Sequence, residues 1–128
     1  MVKVLAIALG GAFGALLRYF TSGFAHRFAG SVFPWGTLSV NLLGSLLVGF
    51  FWGVFEHALA SSNIKLFVFV GLLGAFTTFS TFTLETFNLL RENQVKIAVL
   101  NILANNIFCL FFVFSGFFVF RFLSGILR

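Results

Sequence analysis

Apolar residues in this chain neither alternate nor mark a single helical face; they run almost unbroken through four stretches, about Val4 to Phe24, Trp35 to Phe55, Ile64 to Leu90 and Val95 to Leu123. A hydrocarbon core of roughly 30 Å takes about 20 helical residues to cross. Each stretch therefore predicts one crossing, and residues 1–128 read as a single four-helix membrane domain of all-α class. Polar positions inside the stretches carry further information. In the second stretch Thr37, Asn41, Ser45, Gly49 and Gly53 recur every four residues, which puts polar groups at one end of one face and glycines at the other. In the third, Thr77-Thr78-Phe79-Ser80-Thr81-Phe82-Thr83 gathers hydroxyls near the middle of the run, just after Gly71 and Gly74. Small residues beside hydroxyls are what a helix broken near mid-membrane needs to free main-chain groups for a ligand.

Composition removes the soluble alternatives. With 60% hydrophobic and 9% charged residues and a mean hydropathy of +1.11, no solvated domain surface can be built. A cleaved leader competes for the first stretch, because Lys3 precedes an apolar run rich in small residues. That run is nevertheless long enough to span, and it holds Arg18 and two overlapping small-residue pairs, Gly10-xxx-Gly14 and Gly11-xxx-Ala15. Trp35 and Trp52, about 26 Å apart on an ideal helix, are placed to mark both interfaces of the second span. Enzyme chemistry finds no footing: His26 and His57 are expected in separate loops, and Cys109 is alone within a span. The net charge of +5 is spread over termini and loops, which suits anionic lipid headgroups rather than nucleic acid.

Charge placement bears on topology. Lys3, Lys65, Arg121 and Arg128 fall on the side of the termini, and Arg18, Arg27, Arg91 and Lys96 on the other, so the positive-inside rule gives no instruction. Either another factor orients the chain, or it inserts both ways up and pairs as an antiparallel homodimer. Four short helices around one polar lane can hardly hide every polar group from lipid, and a second copy supplies the missing wall.

Several side chains are candidates for that lane. Hydroxyls at Thr37 and Ser45 are expected to bond back to their own helix. Asn41 is different, since a carboxamide offers two donors and two acceptor sites that its own helix cannot satisfy. Asn101 and Asn105 share a face with Asn106 beside them, and serve either an ion path or helix contact. Glu85, the acidic residue placed within a span, costs on the order of 3 kcal/mol at depth unless paired, hydrated or protonated, and Arg18 is a possible partner. Phe79 and Phe82 share a helix face and bracket Ser80 and Thr81. Ring edges carry positive potential from the aromatic quadrupole. Together with hydroxyl and amide donors they describe a site for a small anion, without a fixed cation that would trap it.

Three blocks carry a family resemblance across nearly the whole chain: Gly10-Gly11-Ala12-Phe13-Gly14-Ala15-Leu16-Leu17-Arg18-Tyr19, Trp35-Gly36-Thr37-Leu38-Ser39-Val40-Asn41-Leu42-Leu43-Gly44, and residues 71–85. The sequence resembles the Fluc (CrcB) fluoride channels. That resemblance implies a dual-topology antiparallel homodimer in a bacterial inner membrane, with two pores that passively export fluoride from the cytoplasm. It implies that Phe79 and Phe82 form an aromatic box, that Asn41 is the pore's amide donor and that Ser80 and Thr81 form a hydroxyl track. Glu85 would lie along the track near a pore mouth, Asn101 and Asn105 along it on the fourth span, and Arg18 in a vestibule. A structural sodium ion at the dimer axis would be held by main-chain carbonyls of Gly74 and Thr77 from both subunits. Two departures stand out: Leu72 where an aromatic is common, and Ala75 where glycine is common. Four-helix proton-coupled drug exporters are similar in architecture, but their mechanism needs an acidic residue in the first span, and this span has none. A non-selective assembly protein, the remaining rival, would need no ordered polar lane.

Overall fold

Hydrocarbon offers main-chain groups no water, so apolar runs of this length close their hydrogen bonds internally as helices. The computed structural model describes residues 1–29, 32–57 and 59–126, and its regular elements are all helical. Helix α1 spans Val2–Ala29 and α2 spans Trp35–His57. The third span starts as α3 (Ser62–Lys65), widens into a π-helical stretch Leu66–Leu73, and continues through α4 (Gly74–Phe76) and α5 (Phe79–Arg91). The fourth comprises α6 (Val95–Leu103), a π-helical stretch Ala104–Phe108 and α7 (Cys109–Ile126). Four helical segments are long and apolar enough to cross a membrane: Val2–Arg27, Trp35–His57, Ser62–Arg91 and Val95–Ile126. Arg128, one of the charges counted above, lies outside the described residues.

The helices run past the apolar stretches, and His26 and His57 sit in last helical turns rather than in loops. Helical main chain is satisfied equally in lipid and in water, so a polar residue at the interface does not end it. A short turn at residues 92–94 joins the third and fourth spans. There the amide of Gln94 donates to the Leu89 carbonyl at 2.8 Å, and Asn93 takes a left-handed φ of 57°, a conformation asparagine tolerates better than most residues.

Glycines set how closely the spans approach. A Cβ on Gly10 would strike the Phe67 carbonyl oxygen, one on Gly14 that of Leu72, and one on Gly71 the main chain of Ile7 and Gly10. So α1 lies main chain to main chain along the first half of the third span. The same contact joins α2 to α7, where Gly49 faces the Val113 carbonyl and Gly116 that of Leu46. Between these seams Gly44 faces Thr77. With no side chain there, α2 comes close enough for Asn41, one turn earlier, to reach the middle of the third span.

Candidate ion pathway

Two residues midway along the third span depart from helical geometry: Thr77 (φ −78°, ψ 158°) and Thr78 (φ −150°, ψ 117°) are extended. Thr78 caps α5, its Oγ1 accepting the Thr81 amide at 3.2 Å. Extended residues at this depth expose main-chain groups whose desolvation without a partner costs several kcal/mol. Asn41 meets them twice over: its Oδ1 accepts from the Thr78 amide at 2.9 Å, and its Nδ2 donates to the Thr78 carbonyl at 3.1 Å. A third bond runs from Asn41 Nδ2 to Asn105 Oδ1 at 2.9 Å.

These bonds also have a consequence for Gly74 and Thr77. In a continuous helix the Gly74 carbonyl accepts from the Thr78 amide and the Thr77 carbonyl from the Thr81 amide. Here the first amide is given to Asn41 and the second to the Thr78 hydroxyl. The two oxygens are thereby released from their helical donors, and hard main-chain oxygens of this kind suit a small cation.

Two cavities adjoin the extended residue Thr78, and a third adjoins Phe79 and Phe82. One of about 390 Å³ is lined by Asn41, Thr78, Phe79, Phe82, Asn105 and Cys109, among others. A second, about 430 Å³, is lined by Arg18, Ser22, His26, Thr37, Thr78 and Thr81. The third, about 380 Å³, shares Phe79, Phe82 and Asn106 with the first and adds Thr83 and Thr86. Thr78 thus stands between the first two, and the phenylalanine pair between the first and third. The two rings lie with centroids 5.4 Å apart, tilted by 55°; Phe82 is 6% exposed and Phe79 73%. Hydroxyls cluster at the same point: Thr78 Oγ1 donates to Thr81 Oγ1 at 2.9 Å, with Ser80 Oγ 3.4 Å away. Ser80 and Thr81 are themselves exposed.

Glu85 accepts from the Thr37 hydroxyl at 2.7 Å rather than pairing with Arg18, and its other oxygen is buried without a protein partner. The Thr37 hydroxyl therefore reaches across to the third span instead of back to its own helix. Asn101 is 0% exposed and lines none of these cavities. Thr78 and Thr86 join the site without having been singled out by sequence, and Asn106, noted there only as a neighbour of Asn101 and Asn105, joins it as well. Thr78 stood in plain view in the hydroxyl run, whereas the place of Asn106 depends on the π-helical register of the fourth span, which no periodicity announces.

Known proteins resemble this chain over most of its length. A family model described as CrcB-like protein, Camphor Resistance (CrcB), matches residues 5–117. A relative from Parabacteroides distasonis, named fluoride-specific ion channel FluC, is 47% identical over 116 residues, covering 91% of this chain and 91% of its own. One of the same name from Shewanella frigidimarina is 50% identical over 116 residues, covering 91% and 94%. Another, from Magnetococcus marinus, is 44% identical over 116 residues, covering 90% and 94%. The name these relatives share is that of an ion channel and not of an enzyme. Matched over most of its length by the family model and over nine-tenths of it by each of these relatives, the chain belongs to the CrcB-like family.

Proposed function

We propose that this protein is a fluoride-selective channel that lets the ion leave the cytoplasm passively through two pores of an antiparallel homodimer in a bacterial inner membrane. The observation that carries the reading is the naming of relatives 44–50% identical over about nine-tenths of the chain as fluoride-specific ion channels. The site is of the right chemistry. An anion between Phe79 and Phe82 meets ring edges, and beside them the Ser80 and Thr81 hydroxyls supply donors in place of water, while Asn41, whose Nδ2 hydrogens go to the Thr78 carbonyl and to Asn105, and the Thr78 hydroxyl, which donates to Thr81, hold the shape of the lane. Arg18, at the second cavity, raises the local anion concentration without sitting at the constriction. Asn105 borders the same lane, and Glu85 lies beside the second cavity through its bond to Thr37.

In this reading the two extended residues are a functional break in the third helix. Ser80 and Thr81 are exposed there, where lipid has no hydrogen-bond partner to offer, and a second, inverted copy takes them out of lipid. Gly74 and Thr77 carbonyls from both copies hold a sodium ion on the dimer axis, which supplies fixed positive charge and ties the subunits together. The release of both carbonyls from their helical amides supports this assignment. Fluoride efflux from liposomes holding the purified protein, read with an ion-selective electrode after a potassium ionophore is added, tests the function. Rapid fluoride release without chloride release is expected; no fluoride release from reconstituted protein overturns it.

A further inference from the structure

The fourth span carries a buried chain of hydrogen bonds that touches no cavity at its centre. Asn41 Nδ2 donates to Asn105 Oδ1 at 2.9 Å; Asn105 Nδ2 donates to Asn101 Oδ1 at 2.9 Å; Asn101 Nδ2 donates to Thr86 Oγ1 at 2.9 Å; and the Thr86 hydroxyl donates to the Phe82 carbonyl at 2.8 Å. Resting on the channel reading above, we propose that Asn101 and Thr86 are positioning residues: they fix the amide orientation of Asn41, and through it the extended main chain of Thr78, together with the main chain of Phe82, so that the polar break and the ring beside it keep the geometry of the anion's path.

The direction of the chain is forced from both ends. A hydroxyl has one proton, and that of Thr86 goes to Phe82, so Thr86 Oγ1 can only accept and Asn101 must turn its nitrogen toward it. Asn101 then offers oxygen to Asn105, which takes it with nitrogen and offers oxygen to Asn41. From the other end the Thr78 amide can only donate, so Asn41 gives it Oδ1 and turns Nδ2 toward Asn105. Both ends thus demand the same orientation of Asn41. A flipped Asn41 would oppose like groups at both Thr78 and Asn105 and would let go of the extended Thr78 main chain. Asn101, fully buried and lining no cavity, acts on the ion only through this chain. Asn105 donates a second time to the Asn101 carbonyl at 3.2 Å, so both its hydrogens are committed to the fourth span.

The test compares wild type, Thr86→Val, Thr86→Ser, Asn101→Leu and the Thr86→Val/Asn101→Leu double variant in liposomes, with fluoride and chloride efflux measured per folded protein. Thr86→Val keeps shape and removes the hydroxyl, whereas Thr86→Ser keeps the hydroxyl. Thr86→Val and Asn101→Leu are each expected to lower fluoride efflux about tenfold, the loss of one buried polar pairing, and to narrow the preference over chloride. The double variant should be no worse than the poorer single one, since both cut the same chain, and Thr86→Ser should conduct within about twofold of wild type. If Asn101→Leu fails to fold, the valine and serine pair at Thr86 decides alone. Wild-type rate and selectivity in Thr86→Val, or losses that multiply in the double variant, overturn the proposal while leaving the channel intact. A wild type that carries no fluoride overturns the channel reading and this inference with it.

Discussion

The third span is two different structures joined at Thr77. Residues 62–76 lie against α1 with glycine facing main chain on both sides, at Gly10, Gly14 and Gly71. The other half, α5, rests chiefly on α6 and leaves Phe79, Leu84, Phe87 and Leu90 exposed. Dispersion along a continuous seam holds the first half. The second is held by a few hydrogen bonds that reach it from Thr37, Asn41 and Asn101. A seam spreads its energy over many small contacts and has no room for an added atom. A half held by single bonds can be altered one group at a time, and the candidate site lies there.

Adding volume to the seam should give the largest effect. A Cβ at Gly14 meets the Leu72 main chain, which cannot turn aside, so Gly14→Val is expected to cost about 3 kcal/mol or more. The readout is recovery of monodisperse protein in detergent, which should collapse. A Cβ added at Gly11 would meet nothing within 4 Å, and Gly11→Ala should stay within about 0.5 kcal/mol of wild type. Equal behaviour of the two variants would show that the seam is not what holds the first half.

Next in size is the bond that pins the second half. Asn41→Leu leaves the Thr78 amide and carbonyl and Asn105 Oδ1 without this partner. The expected loss is about 2 kcal/mol, seen as an earlier melt in detergent, together with loss of fluoride efflux. A variant that melts with wild type would mean that the extended residues hold their shape without the carboxamide.

What could be read from the chain follows the same division. Crossing lipid imposes length and apolarity, so four spans were legible, and close approach demands small residues, so a Gly-xxx-Gly seam on α1 was too. Which of two overlapping pairs it uses was not: Gly10 and Gly14 are in contact and Gly11 is not, because a rotation of one residue depends on every neighbour at once. Asn41 could be read as needing partners, since its groups exceed what its helix supplies. That the partner is Thr78, 37 residues on, is a product of how Gly44 lets two helices approach. Pairing Glu85 with Arg18 failed for a related reason: opposite charge is visible in a sequence, whereas the nearer hydroxyl of Thr37 is visible only in the fold.

The phenylalanine pair separates the two kinds of support within one site. Phe79 is largely exposed and Phe82 buried, so Phe79→Ile should leave the melt unchanged while lowering fluoride efflux about tenfold, the scale of one aromatic edge interaction. Phe82→Ile should lower efflux and also destabilise by about 1 kcal/mol. Unchanged efflux in both would remove the rings from the ion's path.

Thr37 should give the smallest effect and the sharpest distinction. Its hydroxyl donates to Glu85 at 2.7 Å, and this is a side-chain bond joining α2 to α5 one helical turn before Asn41. Thr37 is buried and Glu85 half-buried, beside a cavity that Thr37 and Arg18 share. Water entering there replaces part of a lost donor, so Thr37→Val is expected to cost about 1 kcal/mol and not the full price of an orphaned buried group. Thr37→Ser keeps the hydroxyl and should recover most of that loss. If valine melts and conducts as wild type does, the second half of the third span hangs on Asn41 and the fourth-span chain alone. If serine restores what valine loses, Thr37 is a second tether, and the polar half is held at two points of α2 spaced one turn apart.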